Sequence, residues 1–462
     1  MRFSSKLLVF SLSIILVLSG CRAPIPANLV NNAPDEVVVT TEESLATEAV
    51  VETSAPVEVI AAAPEVAQTE QPAGQPTEET QPTTEATTQA LPNPTQAPFY
   101  SVGPDNFPDG VNPLTGLMVA DPSILRYPPA LISVSNFPAS ARPQYGLSTS
   151  PLVFEMAIGE GMTRFLSVFY GAFPSAVSGQ TEGNAVSGGT SSSTAPAAAG
   201  QIGPIRSGRL PYETMRAQMN GFLVMASAYK GVAATLNSAT SIFGSDASDI
   251  NSALIGIDQL EKIAQAQYEK NGKSPFLDGM YFNTEVPEGG SPADKAWVYY
   301  SNLNQIQWDY DTELGAFVRS DISTDGKSTF TVSTDRLNDL PLAKENVIVL
   351  FADHDYRAPT LIQIDLNNVI KGKAILFRDG QAFEIFWTSQ YGDFEKSTGL
   401  LRPIRFMDAD GNPFPLKPGE TWIEIVSLAS RAWESDPTRF PFNAYSEQPD
   451  SGLWAIRYYG KY

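Results

Sequence analysis

Four arginines in the first half of this chain, Arg142, Arg164, Arg206 and Arg209, stand beside Gly or Pro turns where short apolar runs end. A guanidinium grips carboxylate or phosphate as a two-pronged fork, and a nearby glycine lets a ligand approach the backbone. Asn136 and Glu160 add two more polar side chains to the same segments. Together these six residues describe a polar cleft for an anionic ligand. The segments also hold a carboxylate pair, Glu155 and Glu160. Two carboxylates flanking a glycosidic bond are what a hydrolase of envelope glycans needs, one as acid and one as base or nucleophile. In a third reading the glutamates pair with the arginines and merely hold loops.

Other chemistry is narrowed by scarcity. The chain has one cysteine, Cys21, and one histidine, His354. A multi-histidine metal site cannot be built from one imidazole, and any Ser-His-Asp arrangement would have to use His354. No metal and no cofactor is expected. The net charge of -21 gives no basic footprint for nucleic acid. Ser227-Ala228-Tyr229-Lys230 fits a Ser-x-x-Lys pattern, but no properly spaced companion motif follows it. Asp408-Ala409-Asp410-Gly411-Asn412 reads as a hairpin turn, because Pro413 stands where a calcium loop needs its glycine. Asp353-His354-Asp355 reads as a solvated loop after a strand. The C-terminal aromatics, among them Trp433, Trp454, Tyr458 and Tyr459, suit either sugar stacking or packing.

Cys21 carries chemistry of another kind. Arg2 and Lys6 precede an apolar run from Leu7 to Leu18, which is too short to cross a bilayer as a helix, since that takes about 20 residues. Basic start, short apolar core and small residues are the layout of a secretory signal. Leu18-Ser19-Gly20-Cys21 resembles a bacterial lipobox, which implies cleavage before Cys21 and lipid on its sulfur and new amino group. Residues 1–20 are then a signal peptide, and the mature protein keeps no free thiol. The implied place is the extracytoplasmic face of the cell membrane.

Between Pro24 and Pro98 there are 12 acidic residues and no Lys or Arg. Thr, Glu, Pro, Ala and Gln dominate this stretch and aromatics are missing, so it cannot bury enough apolar area to offset its ordering entropy. Residues 21–98 are read as a disordered tether, about 50 Å across as a coil. A second low-complexity stretch, 175–201, is read as a flexible insertion. The rest is expected to be α+β, in two lobes: a mixed α/β lobe over 99–310, then a mostly antiparallel β lobe over 311–462. Ala130 to Val134, Leu152 to Met156 and Phe165 to Tyr170 read as strands; Pro211 to Gln218 and Ile257 to Lys270 read as helices. Asp325-Gly326, Asp379-Gly380 and Asp410-Gly411 mark tight turns in the second lobe.

The fragments in this order resemble the YerB-like bacterial lipoproteins, a family defined by a domain of unknown function. Arg142-Pro143-Gln144-Tyr145-Gly146-Leu147 is similar to its Arg-Pro-x-x-Gly-Leu stretch. Glu160 to Phe165 is similar to its Glu-Gly-Gly-x-Thr-Arg-Phe stretch with one glycine missing, and Gly203 to Arg209 to its Gly-Pro-x-Arg-Ser-x-Arg stretch. Lys371 to Ala374, Arg378-Asp379-Gly380 and Leu416 to Trp422 resemble its second part. Relatives usually carry a His-Ala-Gly-like stretch where this chain has Ala226-Ser227-Ala228-Tyr229-Lys230, and a Pro-His-Asn stretch further on that is missing here. The resemblance implies a lipid-anchored protein in two extracytoplasmic parts and supplies no reaction. A non-enzymatic role is therefore favoured, binding an anionic cell-wall ligand or an envelope protein, with the carboxylate hydrolase as the alternative.

Overall fold

A strand with apolar residues on both faces has to lie inside a sheet that is covered on both sides. Leu152 to Gly159 is such a run: all eight of its residues are buried, and Glu155 is its only charge. A computed structural model of the chain describes residues 100–173, 200–323, 329–436 and 447–461. The expected signal peptide, Cys21, the expected tether, all but two residues of the 175–201 stretch read as an insertion, and the expected Asp325-Gly326 turn lie outside the described residues.

The first half supplies β1 (Ala130–Ser135), β2 (Leu152–Gly159) and β3 (Met162–Phe169). It continues with α1 (Tyr212–Gln218), β4 (Phe222–Met225), β5 (Ala239–Ser241) and α2 (Ile257–Asn271). Helix α2 ends where Gly272 takes a left-handed φ of 63°, a conformation that costs glycine nothing. A three-stranded meander follows, β6 (Lys295–Ser301), β7 (Asn304–Asp311) and β8 (Ala316–Ile322). Then come β9 (Asn346–Ala358), β10 (Gly372–Arg378), β11 (Gln381–Thr388) and β12 (Thr421–Ser427). The chain closes with β13 (Arg431–Glu434) and β14 (Leu453–Arg457). Asp379 and Gly380 join β10 to β11 with φ of 52° and 69°, as an Asp-Gly hairpin turn requires.

Strands from both halves form one twelve-stranded sheet among the described residues, in which the main order is β11-β10-β9-β12-β2-β3-β1-β4-β5. Within the run from β9 to β5, only β3 points the opposite way. The seam between the halves is the parallel pair β12 and β2, with Glu424 opposite Glu155. This is where the structure departs from the expected two-lobe layout. Both β2 and β12 are wholly buried, and such strands cover each other's edges by pairing. Residue 310, the boundary read from the sequence, falls inside β7. Strand dominates in both halves, so the contrast between an α/β and a β part is weaker than the sequence suggests.

The two faces of the sheet have separate cores. Phe154, Met156 and Leu166 point to one face and pack with Tyr212 and Met215 of α1 and with Phe282 and Leu416. Val153, Phe165 and Trp422 point to the other, against a sheet built on β6, β7, β8 and β14 that has seven strands among the described residues. Trp308, Trp422 and Phe165 meet there edge to face, with centroids 5.3 and 5.0 Å apart. Truncating a buried aromatic of this kind costs about 3–5 kcal/mol.

Candidate anion-binding site

β1 and β4 pair side by side only as far as Ile132 and Val224. Beyond that point they separate, and the Gly203 to Arg209 segment runs between their carboxyl ends. Ile205 bridges to Val134, Arg206 donates its N–H to Ser133 O, and Ala226 donates to Arg206 O. Gly208 donates to Ser227 O at 2.7 Å. A Cβ at Gly208 would stand 2.6 Å from Met225 Sδ and 2.7 Å from Leu236 Cδ1, so a larger residue there would have to push both side-chain ends aside. Crevices outside the carboxyl ends of parallel strands are where open α/β sheets bind ligands.

Three of the four arginines meet there. Arg164 on β3 stands opposite Ser135 on β1 and is 6 % exposed. Its Nη1 donates to Ser207 O at 3.3 Å, and its buried Nε has no partner. Arg209 donates from Nη1 to Gly208 O at 3.1 Å, and its Nε is likewise buried and unpaired. Arg206 donates to Ser135 Oγ at 3.1 Å and to Asn251 Oδ1 at 3.2 Å. Among the described residues none of the three is ion-paired; the acid acting on Arg206 is Asp249. Burial pulls the Arg164 guanidinium down to about 9, and the Arg209 and Arg206 cations add to the shift. Burial also lowers Arg209 and Arg206. Ser133, Ser135, Ser207 and Ser227 supply hydroxyls around the cluster. Tyr212 Oη lies 3.3 Å from Ser133 Oγ, and Ser207 Oγ lies 3.3 Å from Ser227 Oγ. Ser227 belongs to the stretch where the family resemblance places a histidine.

Arg142 and Asn136 belong elsewhere. Successive residues of a strand point to opposite faces, so Thr163 and Arg164 part company. On the far face Glu155 accepts from Thr163 Oγ1 at 2.6 Å, Asn136 Nδ2 at 3.3 Å and Arg319 Nη1 at 2.8 Å. Arg319 also reaches Glu424 at 3.4 Å and Asp321 at 3.0 Å. Arg142 donates from Nε to Asn136 Oδ1 at 2.9 Å and sits 3.6 Å from Asp321. Glu424 completes the group by accepting from Trp308 Nε1 and Tyr300 Oη. Burial and the neighbouring Glu155 raise the Glu424 carboxyl well above its ordinary range, with Arg319 opposing. Burial, Glu424 and Glu155 likewise push the Tyr300 phenol far up. Burial would raise Asp321 too, but Arg319, Arg142 and Ser333 bring it below the usual carboxylate value.

This placement removes the geometry a glycan hydrolase would need. Glu155 is sealed in the interior with Arg319, whereas Glu160 is exposed on the β2–β3 turn with φ of 53°. The two carboxylates share no cleft. Nor is His354 in a solvated loop: it lies within β9, 8 % exposed, with Nδ1 3.0 Å from Ala352 O and its ring stacked on Tyr356. The strand runs on through Asp353-His354-Asp355 because the three residues alternate, the imidazole inward and both carboxylates outward. Asp408 accepts from the Asp410 and Asn412 N–H groups of its own turn, as a hairpin turn does. Trp433 and Trp454 are buried, and Trp454 donates to Pro292 O. Among the described residues no group of three or more His, Cys, Asp or Glu side chains is placed to hold a metal ion.

Sequence and structure comparisons bear on both parts of the chain. Residues 114–275 match the N-terminal domain, and residues 296–423 the C-terminal domain, of a family described as "Protein of unknown function (DUF3048)". The Bacillus subtilis (strain 168) protein named "Putative lipoprotein YerB" is 27% identical over 339 residues, which is 68% of this chain and 85% of that protein. A crystal structure of the YerB protein from Bacillus subtilis aligns with a TM-score of 0.49 at 24% identity, over 68% of this chain and 96% of that one.

Proposed function

This chain belongs to the YerB-like DUF3048 family, and from that premise we propose that it is a lipoprotein anchored through Cys21 on the extracytoplasmic face of the membrane. Its role is to bind an anionic envelope ligand at Arg164, Arg206 and Arg209. The anchoring is supported by the lipobox-like Leu18-Ser19-Gly20-Cys21 and by the name of the Bacillus relative. No helix among the described residues is long and apolar enough to cross a membrane.

One observation carries the binding role. Arg164 is almost wholly buried next to two more guanidiniums, yet none of the three has a carboxylate in ion-pair contact among the described residues. A buried charge costs several kcal/mol unless it is paired. An external anion that completes the hydrogen bonds offsets that cost. Arg142, Asn136 and Glu160, part of the cleft read from the sequence, drop out of the proposed contact set because they lie on the other face or in an exposed turn.

The test is calorimetric titration of the full chain in detergent with acetate, phosphate and sulfate. Saturable binding of any of these anions that is lost in Arg206→Gln supports the reading. Binding of none of them removes it.

A further inference from the structure

The cluster read above as an anion site also has a definite charge and donor count, and we propose that it selects a phosphate monoester in its dianionic form. This inference rests on the anion-site reading and adds the ligand class. The Arg206 and Arg209 cations act on Arg164, and among the described residues Asp249, acting on Arg206, is the acid that bears on the group. The site therefore offers roughly two uncompensated positive charges, where a phosphate monoester brings about -1.5 to -2 at neutral pH. A single carboxylate would answer only one.

The donor geometry agrees with the charge. Arg164 uses Nη1 on Ser207 O, Arg209 uses Nη1 on Gly208 O, and Arg206 uses Nε and Nη2 on Ser135 and Asn251. Among the described residues this leaves one terminal nitrogen of each guanidinium without a hydrogen bond: Nη2 of Arg164, Nη1 of Arg206 and Nη2 of Arg209. A phosphate monoester has three terminal oxygens, one for each. A carboxylate has two, and its planar shape suits one fork rather than three. The Ser207 and Ser227 hydroxyls, exposed at the mouth, face the ester side of the ligand.

The esterified group can be a soluble sugar or glycerol unit, or a lipid. Titration of the full chain in detergent micelles separates these cases, with sn-glycerol 3-phosphate as the soluble probe and dihexanoyl phosphatidic acid as the lipid one. Lactate serves as monocarboxylate control, and malonate as a dicarboxylate of the same charge. The expected result is that a phosphate monoester binds at least tenfold more tightly than malonate. Its affinity should rise severalfold between pH 5 and pH 7.5, as the second phosphate proton leaves near pH 6. Tighter binding of the soluble probe identifies a water-soluble or polymer-borne ester, and tighter binding of the other a lipid headgroup.

Arg206→Gln and Arg209→Gln, at partly exposed positions, should each weaken the phosphate by tenfold or more. Malonate binding as tight as phosphate overturns the phosphate assignment and leaves the anion site standing. Phosphate binding that is flat between pH 5 and pH 7.5, or untouched in both arginine variants, also overturns it. If no anion binds, the anion-site reading itself falls.

Discussion

Glu155 on β2 and Glu424 on β12 are register partners across the seam between the two halves, and the single guanidinium of Arg319 serves both, at 2.8 and 3.4 Å. All three side chains are fully buried. Arg319 stands on β8 in the second sheet, so this contact fastens the two layers as well as the two halves. Asp321, two residues further on the same strand, draws in Arg142 and through it Asn136.

Removing Arg319 leaves two glutamates and Asp321 without their shared cation. Breaking a buried ion pair from one side costs about 3–5 kcal/mol. Arg319→Met should lose that much in urea unfolding, and adding Glu155→Gln should restore at least about 1 kcal/mol, because one of the stranded charges goes with it. A single-mutant loss below about 1 kcal/mol would mean that the network is not the fastening it looks to be.

Glu424 gives the stability a definite pH dependence. Burial and Glu155 raise its carboxyl above the ordinary value of 4.5, so the folded state keeps a proton that the unfolded chain gives up. That contribution is fully present below the unfolded value and is lost as pH rises through the folded one. Asp321, which is lowered, acts in the opposite sense and only on acidification. Glu424→Gln cannot ionise, and its amide can meet Trp308 and Tyr300. The variant should therefore gain on the wild type steadily as pH rises from 5 to 9 in thermal unfolding scans. A constant difference over that range would place the ionisation elsewhere.

How much of this was legible beforehand follows from the range of each interaction. Strands β1, β2 and β3 and helices α1 and α2 are local patterns, and their limits fall within a few residues of those read from the sequence. The pairing of β2 with β12 joins residues about 270 apart, and no period or spacing announces it. A fully buried charge in an apolar strand has to be paired; the sequence reading let Glu155 pair with one of the four grouped arginines, whereas its partner is Arg319, 164 positions away, to which no local pattern points. The four arginines were grouped because all lie near turns. The alternation of strand residues then sends Arg164 to one face while Thr163, beside it, joins Asn136 and Arg142 on the other.

Anchoring is tested through the residue at the other end of the chain. Cys21→Ser removes the only sulfur that a lipid could use, while the described residues from Tyr100 onward are unaltered. Two or more acyl chains hold a protein on a bilayer far more firmly than one. The wild type should sediment with membranes and partition into detergent, and the variant should be found mainly in the soluble or secreted fraction. Equal membrane retention of the two proteins would sink the lipid assignment.

Arg164 offers the sharpest contrast with Arg319, since both are buried arginines on neighbouring layers of one fold. Arg319 has three carboxylates; Arg164 has none in contact among the described residues. Replacing Arg164 by Met strands no acid and relieves the repulsion from Arg206 and Arg209. Buried charges exchanged for apolar side chains of similar volume often raise stability by about 1–4 kcal/mol. Arg164→Met should therefore unfold at equal or higher denaturant concentration than the wild type, while its anion affinity falls by at least tenfold. Groups kept for binding at the expense of stability show this pairing of effects. A variant that loses about 3 kcal/mol, as Arg319→Met should, would instead assign Arg164 to holding the fold.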